Sequence, residues 1–323
     1  MCADNEFTLR IHTLVWHAQT PDWFFREGYN GSGAYVSKDK MDKRMEFYIK
    51  SVINHIQSSE YSDIVYSYDV VNEYVHANNS GWLNIYGQST TQSEMVKKAF
   101  TYAYEALVEC GDKDNVSLLY NDYNTYMETD KIIELINYVN ADKKVCDGVG
   151  MQSHLSTDFP SVELYAQTVD KFAAQGYEIQ ITELDVGNTS EQVQAEYIYD
   201  LMSTLIEKKT SGANITSLTF WGHADDASWR RDNNPLLFST IGVPKQSFTQ
   251  AIKAYTDAGL VIGDNSNNNI NENDNQSNSN NDDNSNNNIN ENNNQNNSNN
   301  GDNSNNNVNE NNNQNNNTGH YSH

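Results

Sequence analysis

Apolar positions recur along the first 260 or so residues in two spacings that take turns. Short runs of β-branched and aromatic residues are typical of strands, and longer stretches with apolar residues three and four positions apart are typical of helices. The predicted strands cover 8–17, 65–72, 116–120, 148–152, 179–182 and 217–221. The predicted helices cover 38–57, 93–110, 128–141, 162–175, 191–208 and 246–256.

This order of elements predicts the fold class. Six strand–helix repeats favour an α/β protein with a mostly parallel sheet and helices outside it. Their spacing fits a (β/α)₈ TIM barrel better than an open doubly wound sheet. No GxGxxG or GxxxxGK motif follows a predicted strand, which disfavours nucleotide binding. We therefore predict a barrel of which this chain holds about six β/α units.

The composition changes after residue 262, where Asn dominates with scattered Ser, Asp, Glu and Gln. A ten-residue pattern that begins at Asp264 recurs from Asp283 and again from Asp302. One Ile or Val in each repeat cannot supply an apolar face for stacking. We predict a folded barrel domain at 1–262 and a disordered, low-complexity linker or tail at 263–323, which could tether further modules. The alternative is an Asn-rich aggregation-prone tract, which the interspersed acids oppose.

Charge and cysteine content exclude several classes of partner. The formal net charge is −24 and no basic stripe is present, so neither nucleic acid nor an anionic membrane is an expected partner. The three cysteines show no CxxC and no metal-ligand spacing, so we expect no disulfide framework and no zinc site. No apolar run reaches the length of a membrane span. The polar residues after Met1 neither indicate nor exclude export.

Two predicted strands end in a glutamate. Glu183 follows the apolar segment 179–182 within a longer strand-like run, 178–185, and Glu73 follows the strand 65–72. Two carboxyl groups at one rim are the minimal equipment for glycoside hydrolysis, in which one protonates the leaving oxygen and the other attacks or activates water. The alternative for either glutamate alone is a structural salt bridge, and their joint occurrence at strand ends favours catalysis.

The remaining strand ends carry amides, imidazoles and indoles, which suit a sugar-binding cleft because pyranose faces stack on indole and hydroxyls bind amides. These candidates are His12, Trp16, Gln19, Asn72, Asn121, Asp122, Asn124, Gln152, His154, Asp185, Trp221, His223 and Trp229. Each has a structural alternative: a lone Trp is more often core, a lone His is usually a satisfied structural residue, and Asp122 or Asp185 can cap the next element.

Several of these residues fall in motifs that occur in one order along residues 8–258. The motifs are His12-Thr-Leu-Val-Trp-His-Ala-Gln19, Asp69-Val-Val-Asn-Glu73, Tyr120-Asn-Asp-Tyr-Asn124, Gly148-Val-Gly-Met-Gln-Ser-His154, Ile181-Thr-Glu-Leu-Asp185, Thr219-Phe-Trp-Gly222, Ser228-Trp-Arg230 and Pro235-Leu-Leu-Phe238. Together they resemble glycoside hydrolase family 10, the retaining endo-β-1,4-xylanases.

The resemblance implies a (β/α)₈ barrel that cleaves xylan or xylo-oligosaccharides by double displacement, outside the cell, without metal or organic cofactor. It assigns the acid/base to Glu73 and the nucleophile to Glu183. It further implies that the sugar subsites nearest the scissile bond are lined by His12, Trp16, Gln19, Asn72, Gln152, His154, Trp221 and Trp229.

The sequence also departs from the family pattern. The resemblance starts at the family's third barrel strand, so we predict an N-terminally incomplete barrel that keeps both catalytic glutamates. Ile11 stands where the family has Gly, and Tyr68 where it has Trp. Two alternatives stay open: an inactive carbohydrate-binding remnant of such an enzyme, and a barrel hydrolase that acts on another β-1,4-glycan.

Overall fold

A curled parallel sheet lies at the centre of the computed structural model, which describes residues 2–188 and 190–260. The strands are β1 (Leu9–Trp16), β2 (Val65–Asn72), β3 (Ser117–Asp122), β4 (Gly148–Met151), β5 (His154–Ser156), β6 (Glu178–Gly187) and β7 (Ile215–Phe220). Their order is β1-β2-β3-β4-β6, with β7 on the far side of β6 and the short β5 paired to the end of β6. A separate antiparallel hairpin joins β8 (Phe238–Thr240) to β9 (Val243–Pro244).

Helices alternate with these strands and cover the outside of the sheet. They are α1 (Lys38–Gln57), α2 (Gly81–Tyr86), α3 (Glu94–Cys110), α4 (Thr125–Val139), α5 (Val162–Ala174), α6 (Glu191–Thr210) and α7 (Gln246–Asp257). Serine side chains cap several of them, since Ser37, Ser93 and Ser161 each accept a hydrogen bond from a first-turn backbone N–H. In α1 the buried Met41, Met45, Ile49 and Ile53 recur every four residues, which is the spacing of one helix face.

Hydrogen bonds cross the interior of the curled sheet and join strands that are not neighbours. Arg10 of β1 donates to the carbonyl oxygen of Thr182 on β6 at 2.8 Å. The Tyr66 hydroxyl on β2 lies 3.1 Å from the Ser217 hydroxyl on β7. In the described residues, however, β1 pairs only with β2 and β7 pairs only with β6. The sheet is therefore a partial barrel with two free parallel edges.

The predicted barrel strands and helices are confirmed, and the differences lie at their ends. Helix α4 starts at Thr125 instead of residue 128, because Asn124 takes the left-handed backbone conformation (φ 45°) directly before it. Strand β6 extends to Gly187, beyond the apolar segment 179–182 and the strand-like run 178–185 read from the sequence, because its polar end pairs with β5. The sequence pattern did not predict α2, β5 or the β8–β9 hairpin.

The tail predicted at 263–323 lies outside the described residues. Within 2–188 and 190–260, no helix is long and apolar enough to cross a membrane.

Candidate active site

The polar residues singled out from the sequence meet at the C-terminal ends of the parallel strands, where barrel enzymes bind their substrates. Glu183 projects from β6 and Glu73 directly follows β2. Backbone hydrogen bonds to the neighbouring strand ends fix the positions of both glutamates. The N–H of Glu73 donates to the Asn121 carbonyl at 2.8 Å, and the N–H of Glu183 donates to the Gln152 carbonyl at 3.0 Å.

Glu183 lies among donors and is nearly inaccessible, with 4% of its surface exposed. The side-chain nitrogen of Asn121 donates to Glu183 Oε1 at 2.9 Å, and His154 Nε2 lies 3.2 Å from Oε2. His12 Nδ1 lies 3.8 Å from Oε1. Burial raises the pKa of Glu183, but the hydrogen bond from His154 and the charges of His12 and His154 outweigh it, so the net pKa is below the ordinary value. The arrangement favours an ionised carboxylate.

His154 is held between two acids. Its Nδ1 lies 2.8 Å from Asp185 Oδ2, while its Nε2 faces Glu183. Burial lowers its pKa, yet the hydrogen bonds to Asp185 and Glu183 prevail and raise the pKa to about 9. The imidazole is therefore protonated at neutral pH and carries a positive charge next to Glu183.

Asp185 anchors this side of the site. Besides His154 it accepts a hydrogen bond from the Trp229 indole at 3.1 Å and another from the Arg230 guanidinium. Arg230 also donates to the Leu155 carbonyl at 3.0 Å. Asp185 thus binds side chains from two other segments and is not a helix cap.

Glu73 has a different environment. Its backbone is left-handed (φ 57°), which turns the chain sharply after β2. The Trp16 indole donates to Glu73 Oε2 at 2.8 Å, and the Gln152 amide donates to Oε1 at 2.9 Å. These donors are neutral, whereas a charged imidazole faces Glu183.

A chain of side-chain amides joins the two carboxyl groups. The nitrogen of Gln152 that binds Glu73 also lies 3.1 Å from Asn72 Oδ1. The same Asn72 oxygen accepts from Asn121 at 2.9 Å, and Asn121 in turn binds Glu183. Glu73 and Glu183 therefore belong to one hydrogen-bond network.

Gly150 on β4 leaves the room that this network needs. A Cβ atom at Gly150 would lie 2.3 Å from the side-chain oxygen of Asn121 and 2.9 Å from Cγ2 of Thr182. The same Asn121 oxygen accepts a hydrogen bond from the Thr182 hydroxyl at 2.6 Å, which points the amide nitrogen at Glu183.

His12 is held in place by the buried pair of Asp69 and Arg10. Its Nδ1 lies 2.9 Å from Asp69 Oδ2, and Asp69 also accepts a hydrogen bond from Arg10. Asp69 has no exposed surface. Because Arg10 also binds the Thr182 carbonyl, it ties β1 and β2 to the residue that precedes Glu183.

Aromatic rings flank the carboxylates on two sides. The Trp221 ring lies 5.7 Å from the His12 ring, and the Trp229 ring lies 5.0 Å from the His154 ring, both measured between centroids. Trp229 is 61% exposed, so a ligand can reach its indole.

A cavity of about 510 Å³ opens beside β1. Its walls include the predicted His12, Trp16 and Gln19, together with an aromatic group from other segments: Trp23, Phe24, Tyr48 and Trp82. Gln19 lies in this cavity beside Trp16, and no hydrogen bond from its side chain to Glu73 or Glu183 occurs among the described residues. The cavity extends the cleft towards the free edge of β1.

The structure thus brings most of the predicted site residues to one rim, whereas Asn124 directly precedes α4 and His223 is exposed. Sequence reasoning missed the supporting residue Arg10. It named Asp69 and Arg230 within motifs, and Asn121 and Asp185 among the candidates, without their roles. Arg10 carried a usable signal, because it shares the two-residue period of His12 on β1. Among the described residues, no group of three or more His, Cys, Asp or Glu side chains is placed to hold a metal ion.

Comparisons with known proteins point to one family. The model of glycosyl hydrolase family 10 matches residues 1–255. Endo-1,4-beta-xylanase A of Butyrivibrio fibrisolvens is 47% identical over 257 residues, which are 80% of this chain and 62% of that protein.

Solved structures agree with the sequence relatives. The CBM22-1–GH10 modules of Clostridium thermocellum endo-1,4-beta-D-xylanase 10B, complexed with xylohexaose, match with a TM-score of 0.68 and 33% identity over 77% of this chain and 53% of that one. An intracellular xylanase of Thermoanaerobacterium saccharolyticum, complexed with xylotetraose, matches with a TM-score of 0.66 and 31% identity over 76% of this chain and 75% of that one. The chain spans less than two thirds of the length of the Butyrivibrio relative.

Proposed function

Because this chain belongs to glycosyl hydrolase family 10, we propose that it contributes the catalytic centre for endo-hydrolysis of β-1,4-xylosidic bonds in xylan. The observation that carries the proposal is the contrast between its two carboxyl groups. Glu183 faces the charged His154 and has a lowered pKa, whereas Glu73 contacts only neutral side-chain donors in the same network. Two acids with opposed surroundings in one cleft suit a nucleophile and an acid/base.

The proposed reaction is a double displacement. Ionised Glu183 attacks the anomeric carbon while protonated Glu73 gives its proton to the leaving oxygen, so a glycosyl–enzyme ester forms as the glycosidic bond breaks. Glu73 then takes a proton from the water that hydrolyses the ester, which releases the sugar and restores both carboxyl groups. This route needs carboxyl groups about 5 to 5.5 Å apart.

The other site residues receive supporting roles in this proposal. Trp16 and Gln152 hold the Glu73 carboxyl, and Asn72 connects them to Asn121. Trp221 and the exposed Trp229 offer indole faces to sugar rings. Gln19 and His12, in the cavity beside β1, bind sugar hydroxyls.

A second candidate function is a catalytically inactive carbohydrate-binding domain. The edges of β1 and β7, which are unpaired within the described residues, favour it, because a closed barrel encloses the cleft on that side as well. Both functions use the same aromatic and amide residues for sugar binding, and they differ in turnover alone.

The two candidate functions are separated by measuring whether the chain cleaves xylan and whether cleavage depends on Glu183. We would incubate the full chain with xylan, follow reducing ends and determine the anomeric configuration of fresh product by NMR. The proposal expects β-configured products and a loss of at least about 1,000-fold in Glu183→Gln. Glu60→Gln, at an exposed site, is the matched control. A chain that binds xylo-oligosaccharides equally well with and without this change, and never cleaves them, is the binding domain.

Substrate class and location belong to the proposal too. Two of the solved relatives were obtained with xylohexaose or xylotetraose, which favours xylan over other β-1,4-glycans. Export is expected from the family resemblance, although the Thermoanaerobacterium relative is described as intracellular. The Clostridium relative carries a further module, and we propose that residues 263–323 tether one here as well.

A further inference from the structure

The loop that presents Glu73 is fastened to the end of β3 by several contacts. The Glu73 N–H binds the Asn121 carbonyl, and the Val75 N–H donates to the Tyr120 hydroxyl at 2.8 Å. His76 stacks on Tyr123, with ring centroids 4.0 Å apart and planes 22° apart. The contacts lie at Glu73 itself and at the second and third residues after it, so they hold the loop whose course determines where the Glu73 carboxyl group points.

Asp122 lies at the centre of these contacts and has no exposed surface. Its Oδ1 is 2.7 Å from His76 Nδ1 and accepts from the Tyr123 N–H at 2.9 Å, and its Oδ2 accepts from the Tyr120 hydroxyl. The Tyr120 hydroxyl therefore connects Asp122 to the Val75 backbone. We call His76, Asp122 and Tyr120 the loop clamp.

The loop clamp can change its protonation. Burial opposes a charge on His76, but the hydrogen bond and the charge of Asp122 outweigh burial and raise the pKa of His76. Burial likewise raises the pKa of Asp122, against its bonds to His76 and Tyr120. The other charged or titratable groups that act on His76 are Glu128 of α4, Glu73 itself and His17 after β1.

His17 does not replace His76 as the charged partner of Asp122. His17 has a lowered pKa because it is buried, and its Nδ1 has no hydrogen-bond partner among the described residues. It is therefore neutral and offers no charge that could hold Asp122.

We propose that His76 is a positioning residue for acid catalysis, because its pair with Asp122 fixes the loop that aims the Glu73 carboxyl at the leaving oxygen. This inference rests on the proposed function, since it takes Glu73 as the acid. None of the family motifs found in the sequence includes His76.

The proposal predicts a dependence on the leaving group. An aryl xyloside with a poor leaving group, such as phenol, needs protonation as the bond breaks, whereas 2,4-dinitrophenolate leaves without it. His76→Phe preserves stacking on Tyr123 and removes the bond to Asp122. We expect kcat/KM for phenyl xylobioside to fall about 10- to 100-fold, and that for 2,4-dinitrophenyl xylobioside to fall less than about 3-fold.

Two further variants sharpen the result. His76→Asn places an amide nitrogen near the position of Nδ1, so it should restore much of the rate for phenyl xylobioside while removing the alkaline pH dependence that His76 deprotonation causes. His55→Phe, at an exposed position of α1, should match the wild-type chain on both substrates. An equal loss on the two substrates, or no loss, would overturn the proposal.

An NMR titration tests the clamp without turnover. In the wild-type chain the amide signals of Glu73 and Val75 should shift with the titration midpoint of the His76 ring, and in His76→Phe that step should vanish. Amide signals that ignore His76 would also overturn the proposal. A wild-type chain that cleaves neither aryl xylobioside contradicts the proposed function, while the titration still decides the role of His76.

Discussion

The side-chain nitrogen of Asn121 lies 2.9 Å from Glu183 Oε1, although the two residues belong to β3 and β6 and are separated by β4. The same nitrogen binds Asn72, so one amide couples the two sides of the cleft. A buried carboxylate that loses such a donor is left with a higher cost of ionisation.

Replacing Asn121 with Ala removes this donor. We expect kcat/KM on an aryl xylobioside to fall roughly 10- to 100-fold, since a lost hydrogen bond to a buried charge costs about 1.5 to 3 kcal/mol. Steady-state kinetics measure the loss. Asn84→Ala, at an exposed site on α2, is the control. Unchanged kinetics in Asn121→Ala would show that the amide network does not serve Glu183.

The acid limb of the pH profile should depend on His154. The hydrogen bond and charge of His154 help to lower the pKa of Glu183 against burial, so removing them in His154→Gln should raise it. The acid limb of kcat/KM then moves to higher pH, by about one unit or more. A profile that stays in place would mean that another group keeps Glu183 ionised.

Stability should respond to pH through the same two residues. The pKa of His154 is raised to about 9, so its contribution is complete below its unfolded value near 6.5 and is lost as pH rises through about 9. The pKa of Glu183 is lowered, so its contribution is present above about 4.5 and is lost as pH falls through its folded value. The two contributions are jointly complete from about pH 4.5 to 6.5.

Urea unfolding measures this effect. Between about pH 6 and pH 10 the free energy of unfolding should fall by about 3 kcal/mol more in the wild-type chain than in His154→Gln. His55→Gln serves as the exposed control. Parallel curves for wild type and His154→Gln would contradict a charged His154 in the folded chain.

Trp229 should contribute to binding more than to folding, because 61% of its surface is exposed. We expect Trp229→Ala to raise KM or the Kd for xylo-oligosaccharides about 10-fold, and to change the free energy of unfolding by less than about 1 kcal/mol. Phe47→Ala, exposed on α1, should leave sugar binding unchanged. Calorimetric titration with xylotetraose and urea unfolding separate the two effects.

In the part of the chain that the structure describes, β1 and β7 each have a free edge, which gives a prediction about the whole barrel. Supplying two β/α units from a family 10 relative ahead of residue 1 should pair these edges, raise Tm and raise activity on xylan. The comparison is between the fused and the unfused chain at equal concentration. Equal activity of the two forms would show that the partial barrel is sufficient for catalysis.

The sequence predicted the barrel elements because their apolar periods are long and regular. It placed Glu183 and Asp185 at the end of the strand-like run 178–185 but did not predict that β6 continues to Gly187. Their polar groups are satisfied by partners from distant segments, such as His154 and Arg230, and these partners are invisible to a local pattern.

The site was predictable as a set of strand-end residues, whereas its connections were not. The motif from Tyr120 to Asn124 offers two amides. Only the register of β3 against β4 brings Asn121 to Glu183, while Asn124 directly precedes helix α4. The role of His76 likewise depends on where Asp122 ends β3. Such pairings arise from three-dimensional packing, so a single sequence does not determine them.

Gly150 shows how a position with no reactive group can govern the chemistry. Adding one methyl group there would force Asn121 away from Thr182, and the displaced amide would release Glu183. Gly150→Ala should therefore abolish hydrolysis, although every carboxylate remains in the sequence. In a random-mutagenesis screen for loss of hydrolysis, inactive clones should recur at this codon, although it encodes neither an acid nor a base.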